Sequence, residues 1–214
     1  MSRWRTFRQE LRGFYTVVLG NQVHGTEVMS LDSGSGWIQI DGIDGWVTRT
    51  PGVLLTVTVA DCIPVYLVAP GRGVALLHSG WRGTAGGILD RGLERLSAVT
   101  GCPPADILMH CGVGICGRCY EVGFEVMAGC GMPATGPGPW KLDLRKRLTE
   151  RAKPLGVDQV TSSSWCSAHH RSFFYSHRAS GGTDGRMVAY IGRPAGGEPG
   201  GWDAGNGEAA SSVE

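Results

Sequence analysis

Short apolar runs separated by glycine and polar turns recur along most of the chain. Residues 14–19 (FYTVVL), 36–40 (GWIQI), 45–48 (GWVT) and 53–60 (VLLTVTVA) read as strands, the last rich in β-branched residues. Residues 63–68 (IPVYLV) and 73–77 (GVALL) continue the sheet. After SGWRGTAGG the period changes from two to that of a helix. Ile88, Leu89, Leu93 and Leu96 share one face, and Gly101 is the stop. A short strand is expected at 107–109, helices at 121–128 and 142–153, and late strands at 160–163, 173–175 and 187–191. Strands come in runs with helices between them, which argues for an α/β chain of the α+β kind with layered mixed sheets, not a regular βαβ winding. No P-loop occurs and no regular βαβ winding is read, so a P-loop or dinucleotide site is disfavoured.

From Arg193 onward (RPAGGEPGGWDAGNGEAASSVE) the periodicity stops and Trp202 is the only large apolar residue. Such a segment cannot bury enough surface to offset its ordering entropy. The expected organisation is a single catalytic domain over 1–192 and a disordered Gly-rich tail over 193–214. With 214 residues and 42% hydrophobic content, one full core can be buried. A net charge of +1 gives no electrostatic case for nucleic acid or an acidic membrane surface. No stretch approaches the roughly 20 apolar residues that span a bilayer, and the N-terminus lacks a signal-peptide core. A soluble cytoplasmic protein, monomeric or homodimeric, is expected. The seven cysteines are odd in number and irregularly spaced, which favours reduced thiols or metal ligands over disulfides.

Candidate chemistry gathers in three segments: Asn21 to Gly25 (NQVHG), Ala60 to Val65 (ADCIPV) and His78 to Gly83 (HSGWRG). In the strand reading, His24, Cys62 and His78 each lie at or just beyond a strand end, where side chains from one sheet edge can converge. Two imidazoles and a thiolate suit Zn²⁺, and three protein ligands leave a fourth position open, as catalytic sites do. Spacing alone does not separate this from three buried structural residues. Arg82, beside His78, can bind two phosphate oxygens at once or can brace its turn against a carboxylate such as Asp61.

QVHG, ADCIPV, HSGWRG and CYEVG resemble the YfiH-like family, whose members are named both polyphenol oxidoreductase (laccase) and purine nucleoside phosphorylase. The resemblance runs from about Phe14 to Ile191, with further matches at DGWVT (from Asp44), LDL (from Leu142), FYSHR (from Phe174) and GRM (from Gly185). It implies a four-layer α-β-β-α arrangement of mixed sheets flanked by helices. It also implies zinc on His24, Cys62 and His78. The implied reactions are phosphorolysis of adenosine, inosine, guanosine and methylthioadenosine, and deamination of adenosine. Bacterial relatives are linked to peptidoglycan quality control. Family members usually begin with an extra segment of HGFFTR type and an Asn-Arg pair, whereas this chain begins MSRWRTF, with Arg5 as the candidate for that arginine. Ser79 stands for the usual alanine and Val113 for the usual proline.

On this reading His24, Cys62, His78 and Arg82 are catalytic, the first three are metal ligands, and the partners are purine nucleosides and phosphate. Two rivals remain. A copper-dependent polyphenol oxidoreductase could use the same two His and one Cys. A trinuclear copper cluster, however, needs many paired histidines, and the six present form no HxH pair. A cysteine hydrolase could use Cys62 activated by His78, which leaves His24 idle. Cys116 and Cys119, with Cys102 and Cys111 upstream, are compatible with a redox pair or a structural zinc, but packing residues are the expectation. Cys166, His169 and His170 share one loop, with the histidines expected at the surface. His110 is expected at a core or strand end, and His177 and Arg178 in support of the pocket.

Overall fold

A computed structural model of the chain describes Leu11 and residues 13–196. Twelve strands and four α-helices follow in order among these residues. β1 (Thr16–Asn21), β2 (Val28–Ser30), β3 (Gly36–Asp41), β4 (Gly45–Thr48), β5 (Val53–Val59), β6 (Ile63–Ala69) and β7 (Gly73–Ser79) come first. Then come α1 (Trp81–Gly86), α2 (Ile88–Thr100), β8 (Leu108–Cys111), β9 (Glu121–Val122), α3 (Phe124–Gly129), β10 (Trp140–Lys141), α4 (Leu144–Ala152), β11 (Gln159–Ser162) and β12 (Met187–Gly192).

The strands form a four-stranded sheet, β12-β5-β1-β3, and a six-stranded sheet, β11-β8-β6-β7-β4-β2, with β9 and β10 as a separate pair. Both larger sheets are mixed. β5 runs parallel to β1 and antiparallel to β12, while β6 is antiparallel to both β7 and β8 and β4 is parallel to β2. Alternation within single strands explains the stacking. In β7, Val74 and Leu76 point to a core shared by the two sheets, while Ala75 and Leu77 point to a core under the helices. Trp46 and Val47 of β4 divide the same way. β5 is buried on both faces, which is why its sequence is apolar or β-branched at every position rather than alternating with charged residues. The mixed α+β class expected from the sequence is what the chain adopts. On the outer face of the smaller sheet, Leu11 and Phe14 close over Val17 and Leu54.

α2 lays Ile88, Leu89, Leu93 and Leu96 on the larger sheet and ends at Gly101, whose φ of 66° is left-handed, as the sequence predicts. Gly92 lets this helix approach closely, because a Cβ there would sit 2.5 Å from Leu77 Cδ1. Leu77 is fully buried, and its truncation to alanine costs about 2–5 kcal/mol by cavity formation.

Several elements differ from expectation. The helix expected over 121–128 starts only at Phe124, because Glu121 and Val122 pair with Lys141 and Trp140 as strands and extended Gly123 resets the backbone. Residues 173–175 form turns, with the Phe173 and Phe174 amides donating to the His170 carbonyl, and the aromatic rings pack on Trp165 instead of entering a sheet. β2 and the short α1 have too few residues to show a period. Of the tail expected from 193, residues 197–214 lie outside the described residues. Its first residues are tied in: Gly52 donates to the Arg193 carbonyl and Ala195 to the Gly13 carbonyl. Among the described residues no helix is long and apolar enough to cross a membrane.

Candidate metal centre

The site forms where the chain crosses between the two sheets. β1 and β5 end side by side in the smaller sheet, and the chain leaves each of them for the larger one. Cys62 immediately precedes β6, whose first residues pair with the last of β7, Ile63 opposite Ser79 and Pro64 opposite His78. Sheet register therefore sets Cys62 beside His78. His24 reaches them from the loop after β1. One ligand atom from each of His24, Cys62 and His78 lies within 4.8 Å of the others, and the two rings meet edge-on with centroids 4.8 Å apart. The three residues singled out in the sequence thus converge.

Asp44, fully buried just before β4, organises two of the three. Its carboxylate accepts from the backbone amides of Val23 (3.1 Å), His24 (3.0 Å) and Gly25 (2.8 Å), and its Oδ1 lies 2.8 Å from His78 Nδ1. The first three bonds hold the His24 loop in shape, including a left-handed φ of 60° at His24 itself. The fourth engages Nδ1 of His78 and leaves Nε2 for a ligand, the usual arrangement of carboxylate, histidine and metal. Gln22 fastens the same loop to β5, donating to the Thr58 carbonyl at 2.9 Å and accepting from the Thr58 amide at 2.7 Å. Gly80 is confined by two of these side chains, since a Cβ there would lie 3.0 Å from Cys62 Sγ and 3.1 Å from His24 Cδ2.

Asp61 does for Cys62 what Asp44 does for the histidines. It is buried, with a left-handed φ of 87°. Its carboxylate accepts from the hydroxyls of Ser167 (2.6 Å) and Ser176 (2.7 Å) and from the Arg178 amide (2.7 Å). The strained turn before Cys62 is thereby held by two late loops more than a hundred residues away.

Charge within the site is matched. Burial pushes the Cys62 thiol up, but hydrogen bonds from His24 and His78 outweigh it and bring it to about 7. Burial pulls His78 down, but Asp44 and Cys62 raise it to about 9. In Asp44, burial is outweighed by His78 and the backbone amides, and the carboxyl lies below its ordinary value.

The three residues open into a cavity of about 620 Å³. Arg82, Arg178 and Arg186 line it, with Tyr120 and His177. Arg82 stacks on Trp81, its guanidinium carbon 4.4 Å from the ring centroid. The Asp61 brace considered for Arg82 is not made, because Ser167, Ser176 and Arg178 take that carboxylate. Arg178 donates to the Glu121 carbonyl and covers Tyr120. Burial and the nearby Cys62 push the Tyr120 hydroxyl up to about 12, so it remains a neutral donor at the wall. Asp44, Tyr120 and Arg186 carry no role in the sequence reading, and Asp61 enters it only as a possible partner for Arg82. A buried acid in a strand-end motif such as DGWVT was the available signal for Asp44.

His110 sits half-buried in β8 with Nδ1 2.9 Å from the Thr161 hydroxyl, away from the cavity. Cys116 and Cys119, expected as packing residues, lie with Cys166 and with His169, exposed as expected, in a second cluster of potential donors within 4.8 Å of one another. Fifty positions of chain, including α3, α4 and β11, separate the halves of this cluster, and nothing local in the sequence signals that they meet.

A family model described as multi-copper polyphenol oxidoreductase laccase matches residues 2–194. The purine nucleoside phosphorylase YlmD of Geobacillus stearothermophilus is 36% identical over 192 residues, 80% of this chain and 70% of that protein. A purine nucleoside phosphorylase of Deinococcus radiodurans is 40% identical over 183 residues, covering 81% and 69%. Adenosine deaminase RL5, from an unknown prokaryotic organism, is 31% identical over 195 residues, covering 82% and 74%. Among solved structures, YfiH of Bacillus licheniformis superposes with a TM-score of 0.82 at 27% identity, over 89% of this chain and 79% of that one. With a sheet crossover that assembles His24, Cys62 and His78, and with matches spanning nearly all of its length, the chain belongs to the YfiH-like family of multi-copper polyphenol oxidoreductase laccase type.

Proposed function

We propose that the chain is a zinc-dependent purine nucleoside phosphorylase for adenosine, inosine, guanosine and methylthioadenosine, that the same site deaminates adenosine, and that it works in the cytoplasm. One observation carries the reading: His24, Cys62 and His78 converge, two of them held by Asp44, at the floor of a cavity lined by three arginines.

The donor set fits zinc. Tetrahedral bonds of about 2.3 Å to sulfur and about 2.0–2.1 Å to nitrogen require donor atoms roughly 3.4–3.6 Å apart. The present spread of up to 4.8 Å closes to that with small side-chain movements. Zinc bound there would supply Lewis acidity and an open position in contact with the cavity.

The protein's own groups account for the rest. Phosphorolysis joins a phosphate oxygen to C1′ of the ribose as the bond from C1′ to the purine breaks, so a polyanion must be held beside a sugar. Arg82 has an apolar platform in Trp81 and, among the described residues, no carboxylate partner, which leaves its planar donors for phosphate. Arg178 and Arg186 add positive charge on the same wall. Tyr120 offers a neutral hydroxyl at the cavity for a substrate acceptor atom. Support for the substrates comes from relatives named purine nucleoside phosphorylase and adenosine deaminase.

A second reading has an observation of its own: Asp44, His78 and Cys62 lie in the order of an acid, base and thiol triad. It gives His24 no role, although His24 as well as His78 hydrogen-bonds the Cys62 thiol. The family description favours copper instead, and thiolate with two imidazoles also suits that metal.

Metal analysis and assay of one preparation, purified without added metal, distinguish these. Zinc at the site and phosphate-dependent release of free base, both lost in Cys62→Ser, are expected. Cysteine catalysis predicts lost activity without linked metal, and a covalent adduct on Cys62. Copper predicts thiolate-to-copper colour and phenol oxidation that does not depend on phosphate. Full zinc and full phosphorolysis in Cys62→Ser would overturn the assignment.

A further inference from the structure

Outside the cavity floor, the densest group of metal-binding side chains is Cys116, Cys119, Cys166 and His169, with one donor atom from each within 4.8 Å of the others. Cys166 is buried, Cys116 and Cys119 are half-buried, and His169 closes the group from the solvent side. Each half is a tight turn. The Cys119 amide donates to the Cys116 carbonyl and the His170 amide to the Cys166 carbonyl, both at 3.0 Å. The turns are zipped together at their bases by the bridge between Gly114 and Cys166, with Ser167 donating to the Gly114 carbonyl. Across the group, His169 Nε2 lies 3.0 Å from Cys119 Sγ, His169 Nδ1 lies 3.7 Å from Cys116 Sγ, and the Cys116 amide points at Cys166 Sγ at 3.3 Å.

We propose that these four residues form a second, structural zinc site of Cys₃His composition, distinct from the open site at His24, Cys62 and His78. The pattern is C-x₂-C on one turn and C-x₂-H on the other, the spacing by which two short turns present four ligands tetrahedrally. Four protein ligands close the coordination sphere, so this metal holds structure and leaves no position for substrate. A redox pair would need only Cys116 and Cys119 and would leave Cys166 and His169 unexplained. The backbone amide aimed at Cys166 Sγ is a donor of the kind that stabilises a metal-bound thiolate.

The location supplies a role. The first turn runs directly into Tyr120, and the second contains Ser167, which donates to the Asp61 carboxylate beside Cys62. A metal clasp between these two loops, which flank the cavity, would fix two of its walls.

The test uses the full chain, purified under reductant and titrated with zinc, with native mass spectrometry for stoichiometry and X-ray absorption for the ligand set. Cys62→Ser removes the open site, so zinc it retains reports on the clasp alone. One tightly held zinc is expected in that variant, with three sulfurs at about 2.3 Å and one nitrogen, and with Cys116, Cys119 and Cys166 protected from alkylation. His169→Cys should keep that metal and His169→Ala should lose or loosen it, a contrast that unfolding does not produce. A Cys62→Ser protein that is folded and reduced but takes up no zinc, or leaves those three thiols fully reactive with zinc bound, overturns the proposal. Because the open site is absent from that variant, these outcomes are independent of whether the wild-type chain binds zinc at Cys62.

Discussion

The buried Asp44 carboxylate lies 2.8 Å from His78 Nδ1 while the same group accepts the backbone amides of Val23, His24 and Gly25. One side chain therefore sets both the direction of one imidazole and the loop that carries the other. Replacing it by the isosteric amide, Asp44→Asn, keeps the volume but removes the charge and turns an amino group toward one of these donors. Zinc affinity is expected to fall by about 10- to 100-fold, measured by competition with a coloured chelator. Unchanged affinity would mean that Asp44 supports only the fold.

Arg82 tests the substrate side separately. It lies on Trp81 at the cavity that the three candidate ligands share. Arg82→Ala should retain zinc and raise the apparent phosphate KM. A lost charge-assisted contact of about 1.5–3 kcal/mol corresponds to roughly 10- to 150-fold. Steady-state kinetics with phosphate varied at saturating nucleoside, on samples of known zinc content, decide it. A fall in zinc content with unchanged KM would move Arg82 from substrate binding to support of the site.

Gly80 measures how tightly the ligands pack. Its φ of −80° is open to any residue, so alanine introduces no backbone strain. Its Cβ would nonetheless press on Cys62 Sγ at 3.0 Å and His24 Cδ2 at 3.1 Å. Gly80→Ala is expected to weaken zinc binding and activity while the thermal midpoint of metal-free protein stays nearly unchanged. Equal zinc affinity in the variant would show that the ligands have slack in this direction.

Cys62 and Cys111 should differ sharply as nucleophiles in metal-free protein. Cys62 is half-buried and titrates at about 7, because the two histidines outweigh burial. Burial pushes Cys111 up to about 12. Only the thiolate alkylates, so iodoacetamide labelling of Cys62, mapped by mass spectrometry, should rise with pH through about 7 and level off above it. Cys111 should stay unlabelled throughout. Saturating zinc should suppress the Cys62 reaction. Labelling of Cys62 that rises only near the ordinary thiol range would show that the histidines do not face it in solution.

Much of the architecture was legible where a local period exists. Four leucines and isoleucines at helical spacing and a terminal glycine define α2, and the apolar run 53–60 marks the doubly covered β5. Where structure depends on a distant partner the period is silent. Glu121 and Val122 become a strand only because Trp140 and Lys141 lie alongside, and Phe173 and Phe174 turn toward Trp165 rather than into a sheet.

By itself the sequence determined the kinds of donor available and the strand ends that carry them: His24, Cys62 and His78 in motifs distinctive enough to indicate a family. Tertiary structure alone decided what fixes them. Asp44 reaches His78 across thirty-four positions, and Asp61 reaches Ser167 and Ser176 across more than a hundred. It also decided that Cys116 and Cys119 face Cys166 and the exposed His169, a juxtaposition that no local pattern shows. The physical reason is the same in each case. Strand and helix periods arise between neighbours along the chain, whereas carboxylate supports and donor clusters arise between segments brought together when two sheets stack.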